Sequence, residues 1–346
     1  MKQLLSVPET GELDPARPNS ARPKYRQLID TILTNIEQGT LALGQQLPSI
    51  SEWAEQHKVA KVTVAKAYEE LRQRGIVHAQ HGKGFYVAND EVRTRLNVLV
   101  VFDALNAYKE TLYDALKAAL PPDATLNVFF HHHNRLLFES LVRNNLGRYN
   151  AYVVMPHFDE DVSDVVGLIP ADKLLLIDQT LPDLPGDYSA VYQDFEQDVY
   201  QALTIAHDRL RHYQSLTLVR SANHFQYVPA ATLAGFGRFG NDMGFAGEVA
   251  DTYRDDLVRP GNAYLFFADR DLVAFLKQVA RLGLTLGQDV GLISYDDTPM
   301  KEILAGGITV ISTDFARMGQ TAGQLLTSRI RDKVANPGGL ILRNSL

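Results

Sequence analysis

Residues 47–87 read LPSISEWAEQHKVAKVTVAKAYEELRQRGIVHAQHGKGFYV, and their order decides the N-terminal fold. Ser49 with Glu52 three positions on fits a capping box, in which hydroxyl and carboxylate satisfy backbone N–H groups reciprocally. A short helix is predicted from there to about His57. A second helix begins near Lys61, because Val64, Ala67, Tyr68 and Leu71 fall on one apolar stripe at i, i+3, i+4 and i+7. Gly75 ends it, as a glycine just past a helix does. Two short apolar runs then flank Gly82-Lys83-Gly84, the pattern of a hairpin. Helix, tight turn, helix, hairpin is a winged helix-turn-helix. Tyr25 to Gln38 supplies its first helix, with Leu28, Ile29, Ile32, Leu33 and Ile36 at helical spacing. Trp53, the only tryptophan, is expected to pack beneath the motif.

The faces left outside suggest the chemistry. With the stripe turned inward, the second helix presents Lys61, Val62, Thr63, Ala65 and Lys66 near its start. Lysine and threonine at such an N-terminus can reach phosphates and base edges in a major groove. The hairpin tip offers His81, Gly82 and Lys83, where glycine lets backbone approach DNA and a cation can hold phosphate. Exposed lysines are common on any soluble helix. It is the ordered series that is specific, not any one residue.

The formal net charge of −7 looks wrong for a nucleic-acid binder. Its distribution resolves the conflict: from Ser20 to Asp90 there are 9 Lys+Arg against 7 Asp+Glu, so the acidic excess lies elsewhere. The 346 residues suit two or three domains, and 45% apolar content is ample for packed cores. With no cysteine there is no disulfide or thiolate metal site, which fits a reducing cytosol. No apolar run approaches the ~20 residues of a membrane span, and the N-terminus lacks a signal-peptide pattern. A cytoplasmic protein with no membrane partner is expected.

Residues 1–21, with Pro8, Gly11, Pro15 and Pro18, read as a flexible arm, through which Arg17 and Arg22 could touch DNA. The winged domain is expected over residues 22–89, a linker over 90–95, and an α/β region over 96–346. In that last region β-branched runs alternate with helical patterns: Leu96–Phe102, Leu126–Phe130, Ala151–Met155, Leu174–Ile177, Leu216–Val219, Tyr264–Phe267, Val290–Ser294 and Thr309–Ile311. Such alternation predicts parallel sheets covered by helices on both faces, and the length suits two lobes.

No P-loop, G-x-S-x-G elbow or H-E-x-x-H stands in the chain. His131-His132-His133 is a poor metal set, because adjacent residues at a strand end point to alternate sides; one histidine near a ligand is the better expectation. Asp296-Asp297 does not suit an acid/base pair either. Acids and aromatics do gather just after strands, at Phe102-Asp103, Asp178-Gln179, Tyr192-Gln193-Asp194, Asp269-Arg270-Asp271 and Tyr295-Asp296. Open parallel sheets bind ligands beyond the carboxyl ends of their strands, and this mixture suits a polyhydroxylated ligand. Any single one of these aspartates could equally cap a helix or form a turn. No catalytic residue, cofactor or metal is expected.

Residues Pro23 to Val87 resemble the winged-helix domain of the GntR family of bacterial transcription regulators. The resemblance rests on Pro23-Lys24-Tyr25, Gly39-Thr40-Leu41 with Gly44, Leu47-Pro48-Ser49, Thr63-Val64 and Gly82-Lys83-Gly84. It implies a DNA face of Tyr25, Ser49, Ser51, Lys61, Val62, Thr63, Lys66, His81, Gly82 and Lys83. Ser51, Lys61 and Ala65 replace arginines common in that family, and lysine does not equal arginine at a guanine edge.

The region from Leu96 to about Lys333 resembles the effector domain of the LacI family, itself similar to periplasmic sugar-binding proteins. The stretches are Gln288-Asp289-Val290, Ile293-Ser294-Tyr295-Asp296-Asp297, Gly307-Ile308-Thr309-Val310, Gly319, Ala322, Leu325-Leu326, and Asp271-Leu272-Val273-Ala274 with Leu282-Gly283-Leu284. Asp178-Gln179 stands for that family's Asp-Arg, Asp194 for the aspartate opening the first crossover, and Thr232 for its sugar-binding arginine. The resemblance implies a two-lobed, periplasmic-binding-protein-like (type I) domain with parallel sheets. The effector set becomes Asp103, Tyr108, Asp178, Gln179, Tyr192, Asp194, Arg270, Asp271 and Asp296. The combination looks like the arabinose-responsive repressors: a dimeric regulator binding double-stranded operator DNA and a small carbohydrate or sugar phosphate. The alternatives are a GntR-type chimera with an aminotransferase-like domain and a sugar transport receptor.

Overall fold

The computed structural model describes residues 23–37, 39–89, 96–220, 227–328 and 330–346. The expected arm, with Arg17 and Arg22, and the expected linker at 90–95 lie outside them. The chain divides into two compact units, the second made of Asn97–Arg143 and Ala151–Leu346.

The first unit holds α1 (Lys24–Glu37), α2 (Ile50–Gln56), α3 (Lys61–Gln73), β1 (Val77–Gln80) and β2 (Gly84–Val87). Helix α2 starts on the expected capping box: Ser49 Oγ accepts from Glu52 N–H, and Glu52 Oε2 accepts from Ser49 N–H at 2.7 Å. The stripe Val64, Ala67, Tyr68 and Leu71 is fully buried against Leu28, Ile29, Ile32 and Trp53. Tyr68 donates its hydroxyl to Pro48 O at 2.7 Å and packs edge-on against Phe85, so the wing rests on the same core. β1 and β2 pair antiparallel, with Gly82 at φ +72 in the tip, a conformation that side-chain-bearing residues rarely adopt.

The second unit opens with β3 (Asn97–Phe102), α4 (Ala107–Ala118), β4 (Thr125–Phe130), α5 (Arg135–Asn145), β5 (Ala151–Val154), α6 (Ser163–Val166), β6 (Leu174–Asp178) and β7 (Ser189–Tyr192). It crosses to a second lobe of α7 (Phe195–Leu210), β8 (Ser215–Val219), α8 (Ala230–Met243), β9 (Gly247–Ala250), β10 (Asn262–Phe266), α9 (Asp269–Arg281), β11 (Gly291–Tyr295), α10 (Pro299–Ile303) and β12 (Thr309–Thr313). Helix α11 (Phe315–Ser328) returns to the first lobe; β13 (Lys333–Ala335) ends the first sheet and β14 (Gly338–Ile341) the second. The strand orders are β13-β7-β6-β5-β3-β4 and β14-β12-β11-β10-β8-β9. All pairs are parallel except β12 with β14. These are the two parallel lobes expected.

Three crossovers join the lobes, and Asn336 ties them. Its N–H donates to Tyr192 O at 2.7 Å, its Nδ2 donates to Thr313 Oγ1 at 2.6 Å, and its carbonyl accepts from Thr313 Oγ1 at 2.9 Å. Helix α11 lies so close to α4 that a Cβ on Gly319 would meet Leu112 O at 2.3 Å. Gly319→Ala should therefore cost about 1–3 kcal/mol through overpacking. Gly237→Ala, on α8 where a Cβ would meet nothing within 4 Å, should instead stabilise. Thermal unfolding of the two variants checks this, and equal melting temperatures would refute the close approach.

Candidate functional sites

In the first unit, Lys61, Val62, Lys66, His81, Gly82 and Lys83 are exposed, as expected for a surface that meets a partner. Val62 stands 74% exposed at the start of α3, a large apolar side chain available to a thymine methyl. Thr63 is half-buried. Tyr25 is half-buried too, with Lys66 Nζ 4.0 Å from its ring centroid and Arg26 Nε donating to its hydroxyl, so it positions cations near the helix. Ser51 is exposed on α2, while the oxygen of Ser49 is committed to the cap. Toward the end of α3 and at its C-cap, Arg72 and Arg74 pair with Glu69 and Glu70.

In the second unit the polar residues converge beyond the strand ends. Non-glycine residues in the left-handed region gather there: His132 and His133 after β4, Asp178 ending β6, and Asp296 after β11. Such backbone is costly, and its concentration marks a place where side-chain aim matters more than local comfort.

The centre is His157, just after β5 and 3% exposed. Its Nδ1 donates to Asp103 Oδ2 at 3.1 Å, and its Nε2 lies 2.9 Å from Asp178 Oδ2. Asp103, also 3% exposed, pairs further with Lys109, a lysine only 1% exposed on α4. Asp178 Oδ1 accepts from Gln193 Nε2. Burial alone would lower the imidazole pKa, but the carboxylates of Asp103 and Asp178 raise it to about 9, so His157 is an imidazolium. Burial pushes Asp103 up, yet His157 and Lys109 hold its carboxyl well below the usual range. His157 and Lys109 were not singled out from sequence, and Gln193 stood only within Tyr192-Gln193-Asp194 without entering the effector set. The only signal was their nearness in sequence to strand ends or helix starts.

The second lobe contributes Tyr227, Asp296 and Lys301. The Tyr227 ring stacks on His157 with centroids 4.7 Å apart and an interplanar angle of 22°. Burial raises Asp296 to about 7; Asp178 adds to this, while Lys301, Lys109 and His157 oppose it, so its carboxyl feels charges of both lobes. Lys301 donates to the carbonyls of Tyr295 and Asp296, each at 2.8 Å, and pairs with Asp269 at 3.0 Å.

Several sequence expectations need correction. Asp103 and Asp178 are not open acceptors but members of an internal ion network. Asp194 is exposed and caps α7, accepting from Gln197 N–H at 3.1 Å. The Tyr108 ring is spent on packing, stacked on Phe315 at 4.3 Å. Tyr192 ends β7, half-buried, with its carbonyl taken by Asn336. Thr232, in the place of a sugar-binding arginine, is buried and donates its hydroxyl to Pro229 O at 2.6 Å. Arg270 is exposed and Asp271 partly so, both in the first turn of α9, whose cap position belongs to Ala268. Asp297 is held bidentately by Arg343, at 2.8 and 2.6 Å, so it is no partner to Asp296. His131 is buried and donates Nε2–H to Met155 O; burial lowers its pKa to about 4 and keeps it neutral. Among the described residues no cluster of metal-ligand type forms, and no helix is long and apolar enough to cross a membrane.

Residues 24–87 match the family model of bacterial regulatory proteins, gntR family, and residues 200–345 match that of the periplasmic binding protein-like domain. Over 96 residues the chain is 32% identical to the uncharacterized HTH-type transcriptional regulator YhcF of Bacillus subtilis (strain 168), covering 26% of this chain and 79% of that one. The chain belongs to the gntR family of bacterial regulatory proteins. It spans about a third of the length of several further curated repressors that it matches. Its structure is similar to the dimeric Lac repressor with an 11-residue C-terminal deletion, at TM-score 0.59 and 18% identity, over 72% of this chain and 98% of that one. It is also similar to a LacI family regulator from Arthrobacter sp. FB24 in complex with lactose, at TM-score 0.57 and 16% identity, over 72% and 99%. The second unit thus has the fold of a type I periplasmic-binding-protein-like domain, rather than that of an aminotransferase.

Proposed function

We propose that this chain is a cytoplasmic, homodimeric transcription regulator that binds operator DNA through its winged helix and is controlled by a small carbohydrate held between the two lobes. The carrying observation is the union in one chain of a gntR reader with a two-lobed unit whose strand ends converge on one polar cluster. A carbohydrate alters operator affinity only if it binds the two lobe arrangements unequally. Asn336, tying the three crossovers, is where such a change would pivot. The test is selection of duplexes from a random pool by the full chain, followed by titration of sugars into the complex. Two half-sites and a sugar-dependent shift in affinity are expected, and failure to enrich any sequence would overturn the reading.

The DNA face divides by role. Lys61 at the start of α3 reads a base edge, so Lys61→Ala should cost about 1–3 kcal/mol and relax sequence preference. Lys83 in the wing holds phosphate, so Lys83→Ala should weaken all duplexes alike and flatten the salt slope by about one. Binding isotherms at several salt concentrations distinguish the two. Unaltered affinity in both variants would remove this face from the reader.

A further inference from the structure

Tyr227 is anchored on one lobe and lays its ring on the other. Val228, the next residue, packs against the core of the second lobe. Pro229 holds the cap position of α8, and its carbonyl accepts from the backbone N–H of Thr232 at 2.9 Å and from the Thr232 hydroxyl at 2.6 Å. The backbone that carries Tyr227 is therefore fixed to the second lobe.

The side chain lies over three strand ends of the first lobe. Its ring stacks on His157, beyond β5, with centroids 4.7 Å apart, and runs nearly parallel to His133, beyond β4, at 6.2 Å. Its hydroxyl meets the side chain of Gln179, beyond β6. The contact with His157 exceeds an ordinary stack. His157 is almost wholly buried and is held between the carboxylates of Asp103 and Asp178, which keep it an imidazolium. An aromatic face attracts a cation, the more so where water is excluded. Both carboxylates belong to the first lobe, so the attraction acts between the lobes. Hinged lobes open about their crossovers, and a contact between the strand ends of one lobe and the body of the other opposes that motion.

We infer that Tyr227 is a closure latch: with no effector present, its ring on His157 holds the two lobes of the second unit together. An effector that enters beyond these strand ends meets a cleft already closed, and its influence is a shift in this open–closed equilibrium. The inference needs neither DNA nor carbohydrate, so it stands or falls apart from the reading above.

The chain has no cysteine, so spin labels can be placed without removing native thiols. Leu136→Cys on α5 and Ile205→Cys on α7 are exposed positions on opposite lobes. The full chain labelled at both, assembled with an excess of unlabelled chain so that distances are read within one copy, is measured by double electron–electron resonance with no ligand added. One narrow population is expected. Tyr227→Ala and Tyr227→Leu should each shift it toward a second, broader population and lower the closed-to-open ratio about tenfold. Tyr227→Leu keeps apolar bulk, and far-ultraviolet circular dichroism confirms that each variant is folded. Tyr227→Phe, which keeps the aromatic face, should stay near the parent. Distributions in the alanine and leucine variants that superpose on the parent's would overturn the inference, as would a parent chain that is already broad. A phenylalanine variant as open as the leucine variant would assign closure to the hydroxyl on Gln179 and overturn the role of the ring.

Discussion

Asp103→Ala is expected to destabilise the second unit by about 3–5 kcal/mol, the cost of stranding a buried charge. The carboxylate sits at the end of β3, between a lysine and a histidine that are themselves almost wholly buried. Removing it leaves Lys109 without its counter-charge and withdraws one of the two carboxylates that hold the proton on His157. The paired variant Asp103→Leu with Lys109→Met should recover much of the loss, since an apolar pair of similar volume costs little where an ion pair has been removed whole. Urea unfolding followed by far-ultraviolet circular dichroism measures both. A single variant costing less than about 1 kcal/mol would mean that water, rather than Asp103, compensates these cations, and that the cluster is not the closed network described.

Side-chain periodicity made the winged unit readable almost residue by residue. Its core depends on local signals: Ser49 and Glu52 close a cap, the Val64–Leu71 stripe lies on one face, and Gly82 turns a two-stranded wing. The buried parallel strands of the second unit were readable for the same reason, as continuous β-branched runs. Of the strands not read from sequence, β7 (Ser189–Tyr192) is a short buried strand inside its sheet, and the other three lacked that signal. β9 (Gly247–Ala250) is largely exposed, β13 (Lys333–Ala335) has three residues, and β14 (Gly338–Ile341) opens on two glycines. Each is a sheet edge fixed by its neighbour rather than by its own propensity.

The site was half readable. That acids follow strands is a local pattern, and three of the acids it picks out, Asp103, Asp178 and Asp296, are buried close to one another in the structure. What those acids do is settled by residues far away in sequence: His157 is 54 positions from Asp103, and Gln193 is 15 from Asp178. A buried lysine such as Lys109 is invisible as such, because its helix pattern would pass as amphipathic with the lysine at the rim. Asp194 shows the opposite failure. Its position after a strand looked like a ligand position, and the same geometry made it an N-cap.

The pH dependence of stability follows from that hidden histidine. His157 has a folded-state pKa of about 9 against an unfolded value near 6.5, because Asp103 and Asp178 outweigh its burial. A raised pKa means that the folded form binds the proton more tightly. The stabilisation is therefore complete below about pH 6.5 and disappears as pH rises through 9. At about 1.4 kcal/mol per unit, the second unit should lose roughly 3 kcal/mol between pH 6.5 and 9.5. Asp296, raised to about 7 chiefly by burial, and Asp198, raised to about 6 for the same reason, also lose stability with rising pH, but mostly below neutrality. The window from pH 7.5 to 9.5 thus isolates the imidazolium. Urea midpoints measured across it should fall in the parent chain and stay nearly level in His157→Gln, which keeps hydrogen-bonding capacity but carries no proton to lose. A parallel fall in both chains would place the titrating group elsewhere and overturn the assignment to His157.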